Sequence, residues 1–357
     1  MNVTYKTNRA LATVRSATEV LTSVRTEADL LQGICDVTVL QGGYLFAWVA
    51  YDGDDGTGRI LRPMAHAGYE AGYLEKVCAN QDSEPTGSGP TSNSIRTGET
   101  VIVRGIHQSE SFAPWRSEAE ARNYRSCISL PLRWDEEIYG ALVIHASQID
   151  TFDPREAEEL GELADKLSAG IYFLRLEKAH RNAERALRNE KEAQEALGRI
   201  LSASLRPVSL VEKLENVLDV LFDVSWLGIE RKGAIFLAEA RELRLVTQRH
   251  LGSNLRRLCD KVPFGHCLCG QAAEQGATLF RQHVGDDHHI HFEGIVDHGH
   301  YCQPILSSEG VLGVLNLYVP PGHAHNEAES AFVRAVSDTL ASIIERERVD
   351  QAHRHLA

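Results

Sequence analysis

Cysteine and histidine are concentrated between His266 and Cys302. These 37 residues hold three of the chain's 7 cysteines and seven of its 16 histidines; they open with His-Cys-Leu-Cys-Gly and close with His-Gly-His-Tyr-Cys. Thiolates and imidazoles are the donors that zinc, iron and iron–sulfur clusters select, and thiol catalysis uses the same pair. The segment therefore predicts either a bound metal or a reactive cysteine. The simpler alternative is core cysteines beside surface histidines.

The metal hypothesis uses Cys267, Cys269 and Cys302, with His288 or His300 as a further donor. Three thiolates and one imidazole suit zinc or an iron–sulfur cluster, whereas fewer thiolates and more imidazoles suit mononuclear iron. We therefore expect iron or an iron–sulfur cluster as the cofactor, with zinc as the alternative. A Cys-x-Cys pair is less diagnostic than two Cys-x-x-Cys motifs, so the sequence leaves the identity of the metal open.

Length, composition and charge exclude several classes of protein. A chain of 357 residues with 43% hydrophobic and 24% charged residues is typical of a soluble protein with two domains. No run of 18 apolar residues occurs and residues 1–15 lack the apolar core of a signal peptide, which predicts a cytoplasmic protein that binds no membrane. A net charge of −13 without a basic patch predicts that it binds no nucleic acid. The odd number of cysteines favours reduced thiols over a disulfide framework.

The chain repeats one order of predicted elements. Pro131 and Pro304 each lie in a short apolar run, and a glycine stands nine residues further on in both halves, at Gly140 and Gly313. This pattern predicts a strand, a tight turn and a returning strand in each half. The flanking predicted elements match in order: strands at 43–51 and from 60 onward, then at 233–240 and 243–247, and closing helices at 153–173 and 326–346. Two copies of one domain are the economical interpretation.

In these elements the chain resembles the GAF family of sensory domains. The resemblance rests on the glycine-strand-turn-strand opening, on Gly98 or Gly276 before the third strand, and on the proline-turn-glycine hairpin with its closing helix. It covers residues 20–175 and 206–346. It implies an α+β fold with two antiparallel six-stranded sheets, each with helices on one face and a ligand pocket on the other. The predicted divisions are a first domain at 1–175, a linker helix at 176–205, a second domain at 206–346 and a helical extension at 347–357.

The predicted linker helix carries a weak coiled-coil seam. Two rows with seven-residue spacing begin at Leu176 and Ala179 and end at Ser204 and Ile200, with alanine at four of the nine places. The alternative is a charged linker helix that pairs with nothing. In GAF-containing sensors such helices pair in parallel. The resemblance thus implies a parallel homodimer, a small-molecule ligand, and a histidine kinase or nucleotide cyclase as the output domain or partner.

The two copies differ at positions that would face the pocket. Alignment of the copies places Gly89, Thr91 and Ser129 opposite Cys267, Cys269 and Cys302. In the GAF plan these three cysteines would converge on one cavity, and the helix N-terminus would lower a thiol pKa. We therefore expect a metal in the second domain and none in the first.

The first domain offers a weaker candidate site. Trp115 and Arg116 are the candidate contacts for a small organic ligand there. The alternative is that Trp115 packs on its own domain.

These features favour a sensory function. We predict that the second domain binds a metal, a metal cofactor or a small redox ligand and relays its state through dimeric helices, without enzymatic activity. The alternative is a thiol enzyme, because residues 268–273 resemble the stretch around a cysteine of free methionine-(R)-sulfoxide reductases, and Cys269 would then be the nucleophile. Those enzymes also use a cysteine before the proline hairpin, where this chain has His-Ile-His-Phe at 289–292. The sequence therefore predicts no resolving thiol for Cys269.

Overall fold

The chain forms two compact units, each built on one antiparallel sheet. The computed structural model describes residues 2–54, 59–78, 89–285, 288–290 and 295–356. The units are Met1–Asn182 and Ala183–Ala357. The predicted α+β class with two antiparallel sheets is confirmed.

The first unit contains a five-stranded sheet among its described residues, in the order β2-β1-β5-β4-β3. Its elements are α1 (Asn2–Ser23), α2 (Glu27–Leu40), β1 (Phe46–Asp54), β2 (Arg59–Gly68), α3 (Tyr73–Cys78), α4 (Pro90–Thr97), β3 (Val101–Arg104), two short 3₁₀ helices (Ile106–Gln108 and Glu110–Trp115), α5 (Arg116–Ala121), β4 (Ser126–Trp134), β5 (Glu137–Ala146) and the first part of α6 (Pro154–Ser204). About six strands were expected. The segment that aligns with the sixth lies within residues 79–88, outside the described residues.

The second unit contains the expected six strands, in the order β8-β7-β6-β11-β10-β9. After the end of α6 come α7 (Leu210–Phe222), β6 (Gly233–Glu239), β7 (Glu242–Arg249), α8 (Ser253–Leu258), β8 (Lys261–Pro263), α9 (Cys267–Gln275), β9 (Leu279–Arg281), β10 (Gly299–Ser307), β11 (Gly310–Val319) and α10 (Glu327–Leu356). A Ser209–Glu212 capping box fixes the start of α7.

Each sheet separates two hydrophobic clusters because successive side chains of a strand point to opposite faces. In β1, Ala47 and Val49 join a cluster with the helices, whereas Phe46 and Trp48 join an aromatic cluster on the other face. Complete burial of such an aromatic side chain contributes about 1.5–3 kcal/mol. The GAF-like arrangement of helices on one face and loops on the other is therefore present.

The same alternation divides β10 of the second unit. Tyr301 and Ile305 pack in the cluster formed with α7 and α10, while Cys302 packs in the opposite cluster beside Tyr318 of β11. The Ser330 hydroxyl of α10 donates to the Tyr301 hydroxyl at 3.3 Å. One strand therefore carries the cysteine- and histidine-bearing face and also the face that contacts the last helix.

The helix α6 changes its surroundings along its length. Leu163 and Leu167 are buried in the first unit's core, residues 175–188 are exposed on all sides, and Ala196 and Ile200 are buried in the second unit's core. The expectation that Ile200 lies in an interhelical seam is therefore wrong, because only 1% of its surface is exposed within its own chain. None of the described helices is long and apolar enough to span a bilayer.

Candidate functional site

The candidate site lies on the face of the second unit's sheet that is opposite α7 and α10. We call this the pocket face, because it is where the GAF resemblance predicts the ligand pocket. His300 and Cys302 are two residues apart on β10, so both side chains point to this face. Their partners in the neighbouring strand β11 are Tyr318 and Asn316, respectively. The predicted tight turn between β10 and β11 sets this register, because the hairpin fixes which residues lie opposite one another.

Three buried histidines converge beside the strand. The candidate ligand atoms of His288, His298 and His300 all lie within 4.8 Å of one another. The rings of His288 and His300 stack at 5.1 Å, and the ring of His298 meets His300 edge-on at 4.7 Å. Each of these side chains is at most 4% exposed. Imidazole is a ligand type that zinc and iron both accept, so these three side chains are the candidate ligands of the site.

Hydrogen bonds fix the tautomers of two of these imidazoles. The Nδ1 of His298 lies 2.6 Å from the Val296 carbonyl, and the Nδ1 of His300 lies 3.0 Å from Asn316 Oδ1. Both partners are acceptors, so each Nδ1 carries the proton and each Nε2 carries a lone pair. Neither Nε2 has a hydrogen-bond partner among the described residues. Metal-binding histidines commonly have their second ring nitrogen held in this way.

The surroundings keep these imidazoles neutral. Burial, and then the neighbouring His298 and His288, hold the pKa of His300 well below its ordinary value. Burial likewise lowers the pKa of His298. The Lys232 ammonium lies 3.9 Å from the centre of the Tyr318 ring, and that ring lies 4.9 Å from the ring of His298 and 4.5 Å from the ring of His300. A neutral imidazole is the form that binds a metal ion.

Two thiols form a second group on the same face. The sulfurs of Cys269 on α9 and Cys302 on β10 lie 3.7 Å apart. Cys302 also donates to Asn316 Oδ1 at 3.6 Å, the oxygen that accepts from His300. Asn316 therefore contacts both the thiol pair and the histidine group.

The expectation of a lowered thiol pKa at the start of α9 is wrong. The hydrogen bond with Cys302 and then burial raise the pKa of Cys269 well above its ordinary value. Burial and then the neighbouring Cys269 raise the pKa of Cys267. Backbone N–H groups of Leu268, His289 and Ile290 act to lower the pKa of Cys267, but loss of hydration outweighs them. Without a cation these thiols are protonated.

The structure divides the five residues of the predicted metal site into two groups. His288 and His300 belong to the histidine group, whereas Cys269 and Cys302 form the thiol pair. Cys267 is buried on the same face, but its backbone N–H donates to Nδ1 of His289 at 3.0 Å and its thiol belongs to neither group. Among the described residues, no group of three or more metal-binding side chains within 4.8 Å includes a cysteine.

Sequence reasoning missed His298 as a donor. It stands two residues before His300, a spacing that places both side chains on one face where the chain is extended. That spacing was the available signal. The convergence of Cys269 and Cys302 on one face was predicted, but not that Cys302 would give Cys269 the second thiol that residues 289–292 lack, of which 291 and 292 are outside the described residues.

The pocket face of the first unit is filled by aromatic side chains. A cavity of about 20 Å³ remains there, enough for roughly one water molecule. Its lining includes Trp48, Tyr73, Phe112, Trp115, Cys127 and His145. Trp115 is thus at the cavity, edge-on to Phe112 at 5.8 Å, while the Arg116 guanidinium donates to the Ser109 carbonyl at 2.9 Å. A ligand contact by Trp115 and Arg116 stays a prediction.

Strand register shows how the first unit differs from the second. Cys127 pairs with His145 where His300 pairs with Tyr318. Two residues along, Ser129 pairs with Val143 where Cys302 pairs with Asn316. The first unit thus has one thiol and a valine at positions where the second has an imidazole and the amide that orients it.

A GAF-domain family model matches residues 24–171 and 209–345, most of the chain. The chain belongs to the GAF family. Each match coincides with one antiparallel sheet and its helices, so the protein is a tandem GAF protein. No curated protein matches the sequence.

Three solved structures each match less than half of this chain. A free methionine-R-sulfoxide reductase from Neisseria meningitidis, in complex with its substrate, is 20% identical with a TM-score of 0.39; the match covers 48% of this chain and 93% of that one. The GAF domain of a phosphoenolpyruvate-protein phosphotransferase from Coxiella burnetii is 18% identical with a TM-score of 0.41, and the match covers 48% and 98%. A putative GAF sensor protein from Burkholderia vietnamiensis is 14% identical with a TM-score of 0.36, and the match covers 44% and 92%.

Proposed function

We propose that this tandem GAF protein is a sensory module that binds a metal ion in its second domain. The ligands would be His288, His298 and His300. The observation that carries the proposal is the convergence of three buried imidazoles within 4.8 Å. In two of them Nδ1 is bound to an acceptor and Nε2 has no partner among the residues that the structure describes. Leaving such groups without partners costs free energy that coordination would recover.

The geometry needs only a small adjustment to hold an ion. Imidazole nitrogens bind zinc at about 2.0–2.1 Å, so in a tetrahedral site two of them lie roughly 3.4 Å apart. Nitrogens at the present limit of 4.8 Å from one another would each move inward by up to roughly 0.7 Å to reach that bond length. Rotation of the side chains supplies such a shift without moving the strand.

The donor set favours mononuclear iron or zinc over an iron–sulfur cluster. Imidazole suits both ions, whereas iron–sulfur clusters take mostly thiolate ligands. Three neutral imidazoles leave the charge of a divalent ion uncompensated, and Lys232 nearby adds to it. An open coordination position would therefore favour an anionic or readily polarised small ligand, the kind of molecule that a metal-based sensor detects.

The strand β10 offers a route from the site to the helices. His300 lies on its pocket face, and Tyr301 lies on its other face, where Ser330 of α10 donates to it. A shift of β10 on ligand binding would therefore be transmitted to α10 through this contact. We propose that α6 and α10 carry this change within a parallel dimer to a histidine kinase or nucleotide cyclase partner.

Metal content tests the proposal. The full-length protein, purified without oxygen, is expected to hold one equivalent of iron or zinc as measured by elemental analysis. His298→Ala and His300→Ala should each lose it, because two imidazoles bind an ion far less tightly than three. His353→Ala, at an exposed position of α10, is the matched control. Absence of metal both as purified and after addition of ferrous or zinc ion would refute the site.

A second candidate function is supported by the thiol pair. With Cys302 at 3.7 Å, Cys269 has the resolving partner that a sulfoxide reductase needs. Attack of Cys269 on a sulfoxide would reduce it to the thioether and leave a sulfenic acid, which Cys302 would convert to a disulfide with release of water. Turnover of free methionine sulfoxide with a thiol reductant, lost in Cys269→Ser, would establish this activity. Absence of turnover would leave the sensor as the function.

A further inference from the structure

The thiol pair of the second domain supplies no ligand to the proposed histidine site. Cys269 and Cys302 come from a helix and a strand separated by 33 positions, yet their sulfurs are in contact at 3.7 Å. Both are free cysteines. A disulfide bond places its sulfurs about 2.05 Å apart, so the two sulfurs need to approach by roughly 1.7 Å. Rotation about the Cα–Cβ bonds of two side chains covers such a distance.

We propose that Cys269 and Cys302 form a reversible disulfide when the protein meets a hydroperoxide. Cys269 would react first, since it is 8% exposed and Cys302 is fully buried. Its sulfur displaces hydroxide from the peroxide O–O bond, giving a sulfenic acid, and the thiol proton leaves with that hydroxide as water.

The second step forms the disulfide bond. The sulfur of Cys302 attacks the sulfenic sulfur of Cys269 and expels hydroxide, which takes the Cys302 proton and leaves as a second water. One hydrogen peroxide thus oxidises two thiols to one disulfide and yields two waters. A thiol reductant reverses the change by exchange.

The neighbouring cysteine does not compete for this role. Cys267 lies two positions before Cys269 on α9, and residues two apart on a helix do not face the same neighbour. Its backbone N–H is held by His289, which fixes the start of the helix. The geometry therefore selects one pair out of the three cysteines in this segment.

Oxidation should also alter the histidine site, a consequence that rests on the proposed metal function. Asn316 Oδ1 accepts from both Cys302 and His300, and the disulfide removes the thiol donor. Asn316 Oδ1 then accepts a hydrogen bond from His300 alone. A stronger hydrogen bond at Nδ1 makes Nε2 a better ligand, so we expect zinc affinity to rise at least about threefold in the oxidised protein.

Peptide mapping of the full-length Cys267→Ser protein tests the pair. In this variant the tryptic fragments 262–281 and 282–334 carry one cysteine each, Cys269 and Cys302. Limited hydrogen peroxide in the presence of a chelator, followed by alkylation, should link these fragments, and dithiothreitol should separate them. Cys127→Ser, at a buried position of the first domain, is the matched control and should leave the link unchanged.

The outcomes separate this inference from the metal proposal. If Cys269 is oxidised to sulfinic acid without a link, or wild-type protein links Cys267 instead, the proposed pair is overturned. If the link forms but zinc affinity is equal in both states, the connection through Asn316 is overturned. Failure to bind zinc in either state would instead count against the histidine site, whatever the thiols do.

Discussion

Asn316 contacts both groups of side chains in the second domain, the histidine group and the thiol pair. Its Oδ1 accepts from His300 at 3.0 Å and from Cys302 at 3.6 Å, so one amide oxygen orients an imidazole and a thiol. A buried donor left without an acceptor costs about 1–3 kcal/mol. The side chain should therefore matter both for stability and for the geometry of the proposed ligand.

Replacing Asn316 with leucine should weaken metal binding without removing a ligand. The variant leaves the Nδ1 proton of His300 without its acceptor and releases the ring from its orientation. Loss of such a supporting hydrogen bond lowers metal affinity by about 10–100-fold. Competition with a chromophoric zinc chelator measures this change.

Asn316→Asp is the matched variant, because it keeps an acceptor oxygen of the same reach. It should bind zinc at least as tightly as the wild type, since the added negative charge also offsets the charge of the ion. Equal zinc affinity in the leucine and aspartate variants would contradict the proposed role of Asn316.

A buried histidine in the first domain should make stability depend on pH. Burial lowers the pKa of His145 to about 3, against about 6.5 in an unfolded chain. Between these values the unfolded chain binds a proton that the folded domain does not, so stability falls as the pH drops. From pH 7 to pH 5 this amounts to about 2 kcal/mol.

His145→Phe should remove this contribution. Both ring nitrogens lack a partner among the described residues, and the ring stacks on Tyr124 at 4.7 Å, so phenylalanine fits the surroundings. Denaturant unfolding at pH 7 and pH 5 should show the variant gaining about 2 kcal/mol relative to wild type at the lower pH. His353→Gln, exposed on α10, should follow the wild type. Parallel pH profiles for wild type and His145→Phe would refute the assignment.

At the scale of the residue, the sequence predicts which types of donor are present but not how they group. The enrichment in cysteine and histidine correctly marked the segment from His266 to Cys302. Whether Cys269 contacts Cys302 or the histidine group depends on how α9 packs against the sheet, a long-range contact that spacing along the chain does not encode. The thiol pKa values were mispredicted for a related reason, because burial is a property of the packed domain.

At the scale of the element, β10 connects the candidate site with the helical face of the second domain. Its period of two separates His300 and Cys302 from Tyr301 and Gln303, so one strand joins the site to the helical face. The proline-turn-glycine pattern was sufficient to predict β10 and β11. The short strand β8, three residues long, has too little alternation to be recognised from sequence, whereas β9 was marked by the apolar run after Gly276.

The predicted seam is wrong at the C-terminal end of α6. Ile200 belongs to the second domain's core, and Leu197 packs against the same cluster. Replacing them with glutamate would destabilise that domain and so would not report on dimerisation. The exposed part, with Leu176 at 51% exposure, is where a second helix has room to pair.

The pairing of α6 should therefore depend on Leu176 and Ala183. Leu176→Glu combined with Ala183→Glu places four carboxylates in a parallel seam of two chains, which should shift the protein from dimer to monomer. Light scattering over a range of concentrations measures this change. Leu187→Glu is the matched control, because Leu187 is also exposed and lies on neither seven-residue row.

Two results would contradict the proposed dimer. A wild-type protein that is monomeric at every concentration would remove the basis for the seam. An equal shift in Leu187→Glu would show that added charge, and not the seam, controls association.

At the scale of the whole molecule, the tandem GAF organisation could be predicted because the same order of elements occurs twice. The difference in chemistry between the copies follows from a few positions in a shared register, such as Cys127 and Val143 where the second domain has His300 and Asn316. We therefore propose that the first domain binds no metal. Its aromatic side chains occupy the space that a larger ligand would need.

X-ray absorption spectroscopy at the metal edge tests the central claim most directly, since it reports the atoms bound to the ion. The full-length protein loaded with one equivalent of zinc should show imidazole scattering, with nitrogen neighbours at about 2.0–2.1 Å and no sulfur neighbours at about 2.3 Å. That result would assign the ion to His288, His298 and His300. Sulfur neighbours at about 2.3 Å would place the ion on the cysteines and contradict the histidine site.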